Sequence, residues 1–120
     1  MKSRTKQLAL AVVRFAATLP SDPCTAIMAR QLVKSATSVG ANYRSACRAK
    51  STADFISKMG TTEEEADETV YWMELLVESD RCSQVAAAGL IQEAEQILRI
   101  VVASIRTARL RLRERNRDRT

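Results

Sequence analysis

Three groups of side chains have the types and spacing to do chemistry. The first is a run of carboxylates: Glu63, Glu64, Glu65, Asp67 and Glu68, followed by Glu74 and Glu78. Carboxylates on facing helices hold di-iron pairs, but such sites also draw on Glu-x-x-His motifs, and the chain has no histidine. A hard-cation site of carboxylates alone is the remaining metal option. A solvated acidic face, with a few carboxylates paired to arginine, is the simpler reading, and no metal or cofactor is expected. The second group is Cys24, Cys47 and Cys82. They are scattered, none forms a Cys-x-x-Cys pair, and three cannot all pair within one chain. Reduced thiols, buried or half-buried in the cytosol, are expected rather than disulfides or zinc. Without a histidine base, a Gly-x-Ser-x-Gly turn or a glycine-rich phosphate loop, nucleophilic catalysis has no apparatus. The chain reads as a non-enzyme.

The third group is the arginines near the end: Arg106, Arg109, Arg111, Arg113, Arg115, Arg117 and Arg119, against only Glu114 and Asp118. The whole chain of 120 residues carries a formal net charge of +5. That excess falls entirely on residues 105–120, since residues 1–104 balance their charges. Arg106, Arg109, Arg113 and Arg117 follow helical spacing, and Arg111, Arg115 and Arg119 form a second row. Basic residues also complement the negative end of a helix, so a solvated terminus is one reading and phosphate binding to RNA or DNA the other. Aromatic platforms for unpaired bases are few: Tyr43, Tyr71 and Trp72. Contact with phosphates is therefore favoured over base readout, and the lack of bulky anchors beyond Leu110 and Leu112 disfavours a membrane surface.

The elements that position these groups are helical. With 46% hydrophobic residues, 3 glycines and 2 prolines, there is little material for turns and much for a few long helices. Apolar spacing predicts helices over 4–19, 23–49, 52–79 and 84–113, with 114–120 a basic tail on a bundle spanning 1–113. Leu8, Val12, Phe15 and Leu19 mark the face of the first. Ile27, Met28, Leu32, Val39 and Tyr43 mark the second. Phe55, Met59, Thr62, Ala66, Val70, Met73 and Leu76 mark the third, and Leu90, Ala94, Ile97, Val101, Ile105, Ala108 and Leu112 the fourth. Asp22 before Pro23, Ser51 with Asp54, and Ser83 are expected N-caps. Gly60 is expected to weaken the third helix and to mark close packing or a bend. Short connections make the fold all-α, an antiparallel up-down-up-down four-helix bundle. The basic N-terminal flank precedes an apolar stretch with helical period, interrupted by Arg14, so it reads as a first bundle helix rather than a signal. A cytoplasmic location is the expectation.

In an antiparallel hairpin centred near Lys50, residue i faces roughly residue 100 − i. Ser35, Ser38, Asn42 and Arg44 on the second helix, with Asp54, Glu65 and Glu68 on the third, could then form a polar seam, Ser35 lying near Glu65. Such a seam fixes register at some cost in stability. The run Ser35-Ala36-Thr37-Ser38-Val39-Gly40-Ala41-Asn42 makes a poor isolated helix but lets a neighbouring backbone approach closely.

The block from Gln31 to Arg44, then Ala49-Lys50-Ser51, Asp54-Phe55-Ile56, Glu65-Ala66-Asp67-Glu68-Thr69, Tyr71-Trp72-Met73-Glu74-Leu75-Leu76 and Glu93-Ala94-Glu95 resembles the bacterial four helix bundle protein family. It is also called the 23S ribosomal RNA intervening-sequence protein family, and the likeness covers roughly residues 8–109. The resemblance implies an antiparallel four-helix bundle assembling into ring-like homopentamers. A related branch, the accessory protein of diversity-generating retroelements, associates with reverse transcriptase and nucleic acid. No catalytic residues come with the family. Its characteristic polar residues fall on Ser35, Ser38, Asn42, Arg44, Asp54, Glu65 and Glu68. Ser45 stands where members commonly carry an acidic residue, and Glu64 where they often carry Lys. The functional expectation is a non-catalytic homo-oligomer that binds RNA or DNA through its Arg-rich end. The alternative is a scaffold ring that binds another protein and no nucleic acid.

Overall fold

In the computed structural model, which describes residues 1–119, four helices account for nearly the whole chain. They are α1 (Lys2–Ala16), α2 (Pro23–Cys47), α3 (Thr52–Glu78) and α4 (Gln84–Asp118), and no strand occurs among the described residues. Three starts carry the expected caps. Asp22 accepts from the Thr25 amide at 3.1 Å, with Pro23 in the first turn. Ser51 accepts from Asp54 at 3.0 Å and Ser83 from Ala86 at 3.1 Å. Each removes one of the orphan amides of a helix N-terminus. Asp54 does not complete the reciprocal box on Ser51; its carboxylate accepts from the Lys50 amide at 3.1 Å and pairs with Lys58. Those contacts, the Lys50 amide first, hold Asp54 below the usual carboxylate range.

α1 stops at Ala16, short of the expected residue 19. Pro20 disfavours helical geometry at Leu19, and the chain tightens into turns, with the Thr18 and Leu19 amides donating to the Phe15 and Ala16 carbonyls. α3 ends on a left-handed residue, Asp80 at φ 60°. The Arg81 amide reaches the Leu76 carbonyl at 2.9 Å and the Asp80 amide the Val77 carbonyl at 3.0 Å. This is a Schellman closure with aspartate in the place usually taken by glycine.

The helices run up-down-up-down, each beside its sequence neighbours, with α1 meeting α4 only briefly. That contact includes an ion pair. Arg4 grips the Glu93 carboxylate through two bonds of 2.7 and 2.8 Å and also donates to Gln96 at 2.7 Å. The bond to Arg4 holds the Glu93 carboxyl below its ordinary range. Near the starts of α2 and α4, Arg81 ties the α3–α4 connection to the start of α2, donating to Thr25 at 3.2 Å and lying 3.9 Å from Asp22.

Leu8, Val12, Leu32, Val39, Met59, Met73, Leu76, Ile97 and Val101 form the core. Thr5, Thr25, Ser35, Thr62 and Thr69 are buried with them. Ser35 donates to the Leu32 carbonyl, Thr62 to Lys58 and Thr5 to Met1, one turn back along the same helix. A hydroxyl satisfied this way needs no partner across the bundle, and among the described residues no buried side-chain N or O lacks a partner. Three expectations are corrected. Ile27 is 59% exposed rather than part of the α2 stripe, because at about 100° per residue it stands roughly 160° round the helix from buried Thr25 and roughly 140° from Leu32. Cys24 and Cys47 are exposed, and only Cys82 is half-buried, where burial pushes its thiol up. Gly60 marks no close approach: a Cβ there would meet nothing within 4 Å.

Gly60→Ala therefore loses only the glycine's excess chain entropy and should stabilise the fold by about 0.5–1 kcal/mol, read as a higher midpoint in urea. Glu93 contributes stability above the ordinary carboxylate pKa and loses it as pH falls through its depressed value. Glu93→Gln should thus melt below the native protein at neutral pH, and the two melting temperatures should converge in strong acid, where the native carboxyl is protonated as well.

Candidate nucleic-acid interface

α4 does not end near residue 113 to leave a separate tail. It remains helical to Asp118; Thr120, the last residue of the expected tail, lies outside the described residues. Gly89 is its last glycine and no proline follows, so Arg, Leu and Glu carry the helix on. All seven arginines are exposed. They do not form one surface. Ile97, Val101, Ile105 and Ala108 fix the buried side of α4. At about 100° per residue, Arg106, Arg109, Arg113 and Arg117 lie on the side away from the core. Arg111, Arg115 and Arg119 lie roughly 160° away from them, on the core side, past the last buried turn.

The two rows meet different surroundings. Arg106, Arg109 and Arg113 line a shallow cleft of about 330 Å³ with Glu63, Val102, Ile105 and Leu110. These three make no hydrogen bond or ion pair with any described residue. Arg115 instead folds over the α2–α3 turn and donates to the Thr52 hydroxyl at 3.1 Å. With Arg111 and Lys50 it rims a larger groove of about 920 Å³ between α2 and α4, floored by Phe55 of α3. Sequence reasoning missed this groove. Its signal was the length of the helices, 15 residues in α1 against 35 in α4.

The expected polar seam is dispersed. Ser35 is its only buried member, and its hydroxyl lies 3.2 Å from Thr69, not against Glu65. Thr69 shares its proton between Ser35 and its own Glu65 carbonyl, 2.8 Å away. Asn42 donates to Ser38 of its own helix at 2.8 Å, and Ser38 is half-buried. Arg44 is exposed at the far end of α2. Glu68 is exposed and accepts from the Trp72 indole at 3.3 Å. Partial burial first, then the neighbouring Glu68 charge, pushes the Glu65 carboxyl up.

Among the described residues no group of three or more His, Cys, Asp or Glu is placed to hold a metal, so the α3 carboxylates form a face rather than a cage. No helix is long and apolar enough to cross a membrane.

A family model described as "23S rRNA-intervening sequence protein" matches residues 1–103. A crystal structure of a protein of unknown function from the S23 ribosomal protein family of Bacteroides thetaiotaomicron is 31% identical, with a TM-score of 0.81. The alignment covers 87% of this chain and 96% of that one. None of the curated proteins matches. The family match stops before Arg106, so the arginine rows lie beyond it.

Proposed function

The chain belongs to the 23S rRNA-intervening sequence protein family, and from that premise we propose that it is a non-catalytic, homo-oligomeric bundle that binds nucleic-acid phosphates through the outward arginines of α4. The observation that carries this reading is the state of Arg106, Arg109 and Arg113. Three guanidiniums share one exposed face of a rigid helix, and none is engaged by a described carboxylate. An arginine row of this kind offers bidentate donors to phosphate oxygens, and it spans about 10 Å of helix, enough to follow successive phosphates. The names of the family and of the structural relative are both ribosomal, which favours RNA as the polyanion.

Oligomerisation fits the remaining surface. Leu10 and Val13 are 37% and 46% exposed and stand three residues apart on the outer side of α1, and Tyr71 is 54% exposed on α3. Association would cover such apolar area. It would also gather several α4 ends into one polyvalent surface, raising affinity without new contacts.

A titration of full-length protein with mixed-sequence RNA and a DNA duplex, over a range of salt, tests this reading. Affinity should fall steeply with salt. The combined change Arg106→Ala, Arg109→Ala and Arg113→Ala should flatten that dependence by about 0.9 in slope for each B-DNA phosphate contact removed. Arg111→Ala with Arg115→Ala should leave the slope close to native. Unchanged binding in the triple variant, or no binding at low salt, would sink the reading.

A further inference from the structure

The groove beside the α2–α3 turn lies past the described start of α1, between α2 and α4. Thr5 lies against Gly40, where an added Cβ would stand 3.5 Å from the threonine hydroxyl, and Arg4 meets α4 at Glu93 and Gln96. Both contacts place the start of α1 beside Gly40 of α2 and beside Glu93 and Gln96 of α4. Past that point α2 continues to Cys47 and α4 to Asp118, and the groove opens between them. The open seat runs along α4 from Ile100 to Arg115, about 22 Å at the rise of an α-helix.

Its walls suit a helix. Ala46 and Ala49 on one side face Ala103, Ser104 and Thr107 on the other, over Phe55. Small side chains along both lips permit the 8–10 Å axial separation of packed helices, whereas a phosphate backbone would meet desolvation and little compensation on such a floor. The rim is of one sign: Lys50, Arg111 and Arg115 border the groove. Asp54, the acidic residue at this turn, is already engaged by Lys58 and the Lys50 amide.

We propose that this groove is a docking site for an acidic amphipathic helix of a partner protein, seated on the line of α1. The partner would set its apolar stripe on Phe55, Ile100 and Ala108 and its carboxylates toward Lys50, Arg111 and Arg115. This goes beyond phosphate binding, since it uses the other arginine row. It also gives the two rows of α4 separate partners.

Cys47 lines the groove and is exposed, so it reports occupancy. The experiment uses the full-length chain with Cys24→Ser and Cys82→Ser, leaving Cys47 as its one thiol. The probe is a synthetic Leu/Glu amphipathic peptide long enough to fill the seat, with a Leu/Lys peptide of the same pattern as control. At ten times its Kd the acidic peptide should slow alkylation of Cys47 about tenfold, and the basic peptide should not. Thr107→Trp, at an exposed position inside the groove, should abolish protection while the circular dichroism spectrum and melting temperature stay near native. Arg111→Glu with Arg115→Glu should transfer protection to the basic peptide. Equal protection by both peptides, or by neither, overturns the proposal. So does protection that rises with protein concentration alone, which would make a second copy the occupant, or protection by RNA in place of peptide.

Discussion

Helices that share one core should share its length, and here they do not. At 1.5 Å per residue, α1 reaches about 22 Å, α2 and α3 about 37–40 Å, and α4 about 52 Å, in a molecule 59 Å long and 22 Å across. Where all four run together, Leu8, Val12, Leu32, Ile97 and Val101 are fully or almost fully buried. Past the described start of α1, Ile105 and Ala108 stay buried, but Ala103 and Thr107 are exposed and Leu112 only half-buried. The groove, the projecting arginines and the division of α4 into a packed half and a displayed half all follow from this mismatch.

The position of α1 is set by polar contacts as much as by its short apolar face. Leu8 and Val12 bury little area for a 15-residue helix, and β-branched valine at two adjacent positions does not help its intrinsic helicity. Arg4 adds specificity: its planar guanidinium meets Glu93 and Gln96 together at this register along α4. The buried hydroxyls act differently. Because Ser35, Thr62 and Thr69 bond mainly within their own helices, they allow close approach of α2 and α3 without demanding a partner. Only the 3.2 Å contact between Ser35 and Thr69 ties the two helices through such groups.

Much of this was legible in the sequence. Caps at Asp22, Ser51 and Ser83 and the apolar rows from Met59 to Leu76 and from Ala94 to Ala108 depend on local rules, and they stand where those rules put them. The spacing puts Ser35 near Glu65, and there the hydroxyl of Thr69, one turn on, is the group that bonds both Ser35 and the Glu65 carbonyl. Gly60 and Ile27 were read from residue type, which does not say what stands opposite. The groove was invisible for a stronger reason: it is lined by residues of α2, α3 and α4 that no local spacing rule brings together.

The arginines were counted correctly, but a count of charge is not a surface. Two rows roughly 160° apart on one helix cannot both face the same duplex. The inner row is held near the α2–α3 turn by the Arg115–Thr52 bond and borders an apolar floor. The outer row faces solvent with no described ion partner at Arg106, Arg109 and Arg113. Charge beside buried apolar area recognises a shaped, partly apolar ligand, because the charge gains from the low local dielectric only when water is displaced. Exposed charge along a shallow cleft recognises a polyanion, through many weakly directional contacts and counterion release. The family match ends at residue 103, just before both rows. The bundle that precedes it is electrically balanced, and it is the last four turns of α4 that give this chain two kinds of surface for binding.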